Sequence, residues 1–175
     1  MGWFKLVIGG CRSGKSAHAL SLAEGASRPA YIATAQVFDE EMAERVERHQ
    51  NERLGRFTTI EEPIELPKAI RDANGCDAII VDCLTLWLSN LLLADYSDQD
   101  IRDATNDLIE AIDATHANTI VVSNEVGLGI VPDNKLARRF RDLAGFCHQD
   151  LSVVADDTIF MLLGKPVSLN KISSL

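Results

Sequence analysis

The residues best suited to chemistry are residues 9–16, which read GGCRSGKS. They match the phosphate-binding pattern G-x-x-x-x-G-K-[ST] at every fixed position. A short apolar run over residues 3–8 predicts a strand before this segment, and residues 17–24 predict a helix after it. Gly9 and Gly14 allow a tight turn that brings backbone N–H groups close to phosphate oxygens. We call this segment the phosphate loop.

Two side chains of the phosphate loop complete its chemistry. Lys15 places a positive charge on the outer phosphates of a nucleotide, and the Ser16 hydroxyl is a ligand for Mg²⁺. The free N–H groups and the dipole of the following helix favour the same anion. We therefore expect the chain to bind ATP or GTP through Gly9, Gly10, Cys11, Arg12, Ser13, Gly14, Lys15 and Ser16.

A second candidate metal ligand is Asp82. It directly follows the apolar residues 78–81, as a Walker-B acid follows its strand, and it would hold Mg²⁺ together with Ser16. The alternative is an aspartate that only begins a turn. Thr34, Asn124 and Glu125 also follow predicted strands, so we expect them to face the nucleotide. A polar residue in that place is also common in an ordinary loop.

A charged helix predicted over about residues 39–53 carries His49. Its apolar positions Met42 and Val46 are four residues apart, and His49 and Arg53 continue the same stripe. A histidine on an inward stripe is either structural or catalytic. As a catalyst it would serve as a base, or as a nucleophile that attacks phosphorus with arginine support. The pattern alone leaves these alternatives open.

Composition sets the class of the protein. The 175 residues predict a single domain over 1–175, and a net charge of −9 argues against a nucleic-acid-binding surface. The four cysteines are scattered and indicate reduced thiols. The longest apolar run is too short to span a membrane. Because the first predicted strand begins almost at Met1, we expect no signal peptide and a cytoplasmic protein.

Strands and helices alternate along the chain. This order predicts an α/β protein with a mostly parallel central sheet covered on both faces, which is the three-layer, RecA-like fold of P-loop NTPases. The predicted strands are residues 3–8, 30–35, 57–60, 78–81, 119–123 and, as the last one, 158–163; the predicted helices are residues 17–24, 39–53, 66–73, 84–93, 101–114 and 134–155.

Several segments together carry a family resemblance. They are residues 9–16, 31–34, 41–49, 124–132 (NEVGLGIVP) and 136–145 (LARRFRDLAG). In this order they resemble the bifunctional adenosylcobinamide kinase/adenosylcobinamide-phosphate guanylyltransferases of the cobalamin pathway, over about residues 6–163. The NEVGLGIVP segment is far more specific than the phosphate loop.

The resemblance implies a two-step activity. Such enzymes phosphorylate adenosylcobinamide with a nucleoside triphosphate, then transfer GMP from GTP through a histidine, which corresponds to His49. The resemblance assigns the family's nucleotide-binding residues to the phosphate loop and to Asp82, and Glu61 matches a nucleotide-contacting glutamate. The resemblance also implies a homotrimer and a corrinoid substrate. A kinase of another small alcohol, with His49 structural, and a nucleotide-dependent switch remain as alternatives.

Cys11 departs from the family pattern. Family members usually have a small residue such as alanine at this position of the phosphate loop. A cysteine fits there sterically, and its place at a helix N-terminus predicts that it is readily oxidised.

Overall fold

The structure is a computed structural model of the chain and describes residues 2–36, 55–73 and 75–170. The predicted helix that carries His49 lies outside these residues. The strands are β1 (Phe4–Gly9), β2 (Pro29–Ala33), β3 (Thr58–Glu61), β4 (Ala78–Asp82), β5 (Asn118–Asn124), β6 (Asp157–Leu162) and β7 (Lys165–Ser168). The helices are α1 (Lys15–Leu22), α2 (Leu66–Asp72), α3 (Leu84–Leu93), α4 (Asp98–Ala114) and α5 (Lys135–Val154).

The strands form one sheet in the order β3-β2-β4-β5-β1-β6-β7. The pairs among β1 to β6 are parallel, and β7 is antiparallel to β6. The prediction that the strand at residues 158–163 is the last one is therefore wrong. The missed strand is a largely exposed edge with the sequence KPVS, and its proline and weak apolar pattern are typical of an edge rather than a buried strand.

The hydrophobic cores on the two faces of the sheet differ in size. Successive side chains of a strand point to opposite faces, so Leu6 and Ile8 join one core and Val7 the other. The larger core is closed by α2, α3, α4 and α5 and contains the fully buried Trp87. The smaller core is closed by α1. The covered, mostly parallel sheet confirms the predicted α/β class. Among the described residues, none of the helices is apolar enough over a bilayer's thickness to cross it.

Most predicted boundaries within the described residues agree with the structure to within two residues. The start of α4 does not, because α4 begins at Asp98 rather than at the predicted Ile101. Ser97 caps it: the Ser97 hydroxyl accepts from the Asp100 N–H, and the Asp100 carboxylate accepts from the Ser97 N–H. This capping box draws three polar residues into the helix, and the apolar periodicity used for the prediction did not detect them.

Candidate active site

The phosphate loop leaves the carboxyl end of β1 and passes into α1. Gly9 must lack a side chain, because an added Cβ would lie 2.7 Å from the Met161 carbonyl oxygen of the neighbouring strand. Gly14 precedes α1 with φ of 95°, a left-handed conformation that favours glycine. These two positions explain why the fixed glycines of the motif stand where they do.

Lys15 lies in the first turn of α1 and is 8% exposed. Its Nζ donates a hydrogen bond of 2.6 Å to the Gly10 carbonyl, so the lysine folds back over its own loop. Burial lowers the pKa of Lys15, and the neighbouring Cys83 and Asp82 oppose that shift. The loop thus holds a partly desolvated ammonium group, which attracts an anion more strongly than one in water.

Ser16 and Asp82 meet at the centre of the site. The Ser16 hydroxyl donates to Asp82 Oδ2 at 3.0 Å. Ser16 lies after β1 and Asp82 ends β4, and these two strands are separated in the sheet by β5. The Tyr31 hydroxyl donates to the same oxygen at 2.6 Å. The Tyr31 ring is buried and makes an edge contact with Phe57, with centroids 6.0 Å apart. Side chains of α1 and β2 therefore converge on one carboxylate oxygen of β4.

The remaining loop residues differ in exposure. Gly10, Cys11 and Arg12 face solvent. Ser13 is held by a hydrogen bond of 3.1 Å from the Gly164 N–H to its carbonyl, while its buried Oγ has no hydrogen-bond partner among the described residues. Buried hydroxyls normally have a partner, so Ser13 offers an unused polar group inside the phosphate loop.

Thr34 has no solvent exposure and follows β2. Its hydroxyl donates to the Cys83 carbonyl at 2.7 Å and accepts from the Cys83 N–H at 2.9 Å. The side chain thus fixes the backbone just after Asp82, and its contact with nucleotide stays a prediction. Glu61 ends the edge strand β3 in register with Ala33 and is exposed, which leaves its carboxylate accessible.

The polar residues at the end of β5 are engaged locally. Asn124 donates to the Thr85 hydroxyl at 3.0 Å, and the Glu125 carboxylate accepts from two N–H groups of its own loop. Below them, the buried Ser123 hydroxyl lies 2.6 Å from His148 Nε2. Burial lowers the pKa of His148, and the charge of Glu125 opposes that shift. The His148 side chain is thus engaged inside the fold.

Sequence reasoning missed Tyr31 and Cys83 as parts of the site. Tyr31 matched the family segment at residues 31–34, but no chemical role followed from it. The signal was a hydroxyl-bearing side chain in an otherwise apolar buried strand, since such a hydroxyl needs a partner. His49 lies outside the described residues, and its role stays a prediction.

Comparison with known proteins relates this site to one family. The sequence profile described as "Cobinamide kinase / cobinamide phosphate guanyltransferase" matches residues 5–169. The bifunctional adenosylcobalamin biosynthesis protein CobP of Pseudomonas aeruginosa is 42% identical over 166 residues, which cover 94% of this chain and 95% of that protein. The CobU proteins of Salmonella typhimurium and Escherichia coli are 40% and 37% identical, each covering 94% of this chain and 98% of theirs.

A solved structure agrees with the fold. The RadB recombinase superposes with a TM-score of 0.51 at 15% sequence identity, covering 91% of this chain and 74% of that one. At this identity the similarity shows the fold alone, and it confirms the predicted RecA-like architecture. The phosphate loop in its predicted place, the Ser16–Asp82 contact and the match over residues 5–169 lead to one conclusion. The chain belongs to the cobinamide kinase/cobinamide phosphate guanyltransferase family.

Proposed function

We propose that this chain phosphorylates adenosylcobinamide with a nucleoside triphosphate and then converts the product into adenosylcobinamide-GDP, with release of pyrophosphate from GTP. The observation that carries the proposal is the contact of 3.0 Å between Ser16 and Asp82, beside a buried lysine, in a chain of this family. Both steps act on a nucleotide phosphate, and only one phosphate-loop motif occurs in the sequence. One site would therefore serve both steps.

Mg²⁺ is the cation that this site would use. Ser16 and Asp82 offer two hard oxygen ligands, and Mg²⁺ commonly takes one or two protein oxygens and completes its shell with water and phosphate. When bound, it neutralises phosphate charge. The Tyr31 hydroxyl donates to the Asp82 carboxylate and helps to hold this ligand in place.

The phosphate loop would hold the nucleotide. Lys15 would exchange its bond to the Gly10 carbonyl for a phosphate oxygen and stabilise the charge of the leaving group. The unpartnered Ser13 hydroxyl supports the same position for the phosphates. We assign Thr34 and the exposed Glu61 as further nucleotide contacts, on the basis of the family pattern.

His49 would act as the nucleophile of the second step. Its imidazole nitrogen attacks the α-phosphorus of GTP, the bond to the bridging oxygen breaks, and pyrophosphate leaves. A phosphate oxygen of adenosylcobinamide phosphate then attacks the same phosphorus and the P–N bond breaks, which frees the imidazole. The attacking imidazole nitrogen must be neutral, because only an unprotonated nitrogen has the lone pair that forms the P–N bond.

The setting of the reaction follows from the same membership. We propose a homotrimer in the cytoplasm, with nucleotide and corrinoid as its partners and with no nucleic acid. The family resemblance supports the trimer, and the acidic net charge of −9 supports the absence of nucleic acid.

The test is incubation with Mg²⁺ and GTP labelled at the α-phosphate, followed by a denaturing gel. We expect acid-labile, alkali-stable label on the wild type and none on His49→Ala. His116→Ala is the matched control, because His116 is exposed between α4 and β5. GTP labelled at the γ-phosphate should leave no label on the chain.

An active kinase that retains no α-label would contradict the guanylyl-transfer step. The chain would then be a kinase of a small alcohol, with His49 structural.

A further inference from the structure

Residues 125–133, which we call the apolar loop, join β5 to α5 and present large apolar side chains to solvent. Leu128 is 82% exposed, Ile130 96% and Val131 64%. Single exposed apolar residues are ordinary, but three within four positions form a local cluster. Such a cluster is unfavourable in water unless something covers it.

The apolar loop is held in shape by polar contacts of its backbone. The Glu125 carboxylate accepts from the N–H groups of Gly127 and Leu128, and the Arg141 guanidinium donates to the Gly127 carbonyl. Arg138 donates to the carbonyls of residues 132 and 133 at 2.8 and 2.7 Å. Because charged side chains of α5 hold both ends, the apolar side chains are displayed by an ordered backbone. A pre-shaped surface binds with less loss of entropy than a loose one.

The apolar loop begins directly beside the phosphate loop. The Glu125 N–H donates to the Gly9 carbonyl at 3.0 Å, and Asn124 pairs with Gly9 in the β1–β5 register. Ligands of open α/β sheets bind at this carboxyl edge of the strands. A ligand broad enough to cover the apolar loop and this strand end would therefore lie next to the phosphate loop.

We propose that Leu128, Ile130 and Val131 bind the ring of the corrinoid acceptor and so bring its hydroxyl to the nucleotide. The inference rests on the proposed function, because it takes the acceptor to be a corrinoid. A corrin ring is broad and bears methyl and methylene groups along its edge, so it can cover several apolar side chains at once. The kinase step requires such a ligand to dock beside the phosphate loop.

The cluster by itself is smaller than a stable subunit interface. A stable protein interface takes about 800 Å² from each partner. Three side chains on one loop expose roughly a few hundred Å² at most. That area is suited to one face of a macrocycle.

The test compares two loop variants with a matched control. Leu128→Ser and Ile130→Ser change exposed side chains, so neither should affect folding. Val153→Ser is the control, because Val153 is 84% exposed near the last turn of α5, roughly 25 Å along the helix from the loop. Binding of adenosylcobinamide and of GTP is measured by calorimetry, and the mass of each variant by sedimentation.

We expect each loop variant to bind adenosylcobinamide roughly tenfold more weakly than the wild type, with GTP binding and mass unchanged. Val153→Ser should match the wild type. Unchanged adenosylcobinamide binding in both loop variants would overturn the inference, and a reduced mass in those variants would assign the loop to a subunit interface instead. If the wild type binds GTP but not adenosylcobinamide, both the proposed function and this inference fail. If the wild type binds adenosylcobinamide and the loop variants bind it equally well, only this inference fails.

Discussion

The phosphate loop and the apolar loop leave neighbouring strands at the same edge of the sheet, but they are built in opposite ways. In the phosphate loop, the side chains of Lys15 and Ser16 turn inward: Lys15 bonds to Gly10, and Ser16 bonds to Asp82. In the apolar loop the backbone is tied to α5 by Arg138 and Arg141, and the side chains face outward.

This difference separates two kinds of recognition. Charged phosphates are bound through pre-oriented donors and a partly desolvated ammonium group, which are strong and directional. An apolar ring needs only a surface of the right shape and area, and a fixed backbone supplies it. Variants in the phosphate loop should therefore change the nucleotide chemistry, whereas variants in the apolar loop should change binding of the acceptor.

The largest effect is expected for Lys15→Ala. Loss of the buried ammonium group should lower kcat/KM for GTP by about 10²–10³-fold, because it removes the charge that we propose stabilises the transferring phosphate. Steady-state kinetics measure this effect. Lys68→Ala, on the exposed side of α2, is the control and should retain wild-type rates. A Lys15→Ala protein with near-normal rates would remove the phosphate loop from the reaction.

A smaller effect is expected for Tyr31→Phe. The Asp82 carboxylate then loses one donor but keeps its contact with Ser16. A hydrogen bond is worth about 1 kcal/mol, so the Mg²⁺ concentration needed for half-maximal turnover should rise about fivefold. Adenosylcobinamide binding should not change. Tyr96→Phe is the control, and an equal effect there would show that Tyr31 does not position Asp82.

The smallest effect is expected for His148→Gln, at the base of the apolar loop. Burial lowers the pKa of His148, so the folded state holds this imidazole neutral. As pH falls below about 6.5, the unfolded chain binds this proton more readily than the folded one, and the free energy of unfolding decreases. The stability that neutral His148 contributes is fully present above about pH 6.5 and is lost as the pH falls below that value.

Urea unfolding from pH 7 to pH 5.5 measures the effect of His148→Gln. Its free energy of unfolding should fall less steeply than that of the wild type, by no more than about 1.4 kcal/mol per pH unit. His116→Gln, at an exposed position, is the matched control. Identical slopes for His148→Gln and the wild type would show that His148 does not titrate differently on folding.

The sequence predicted those features whose signals are local. The fixed glycines, lysine and serine of residues 9–16 define the phosphate loop by themselves, because each acts through the backbone beside it. Buried parallel strands are continuous apolar runs, so β4 and β5 were evident. The edge strand β7 lacked such a run and was missed.

The tertiary structure decided which polar groups meet. Tyr31, Ser16 and Asp82 are far apart in the chain, and only the strand order brings their oxygens together. Thr34 and Asp82 both stand at the end of a strand. The Thr34 hydroxyl is nevertheless buried against the backbone of Cys83, whereas the Asp82 carboxylate faces the phosphate loop. The outward display of Leu128, Ile130 and Val131 likewise depends on bonds from α5. Spacing along a chain determines where a side chain can go, but its partners depend on packing between elements that the local sequence does not encode.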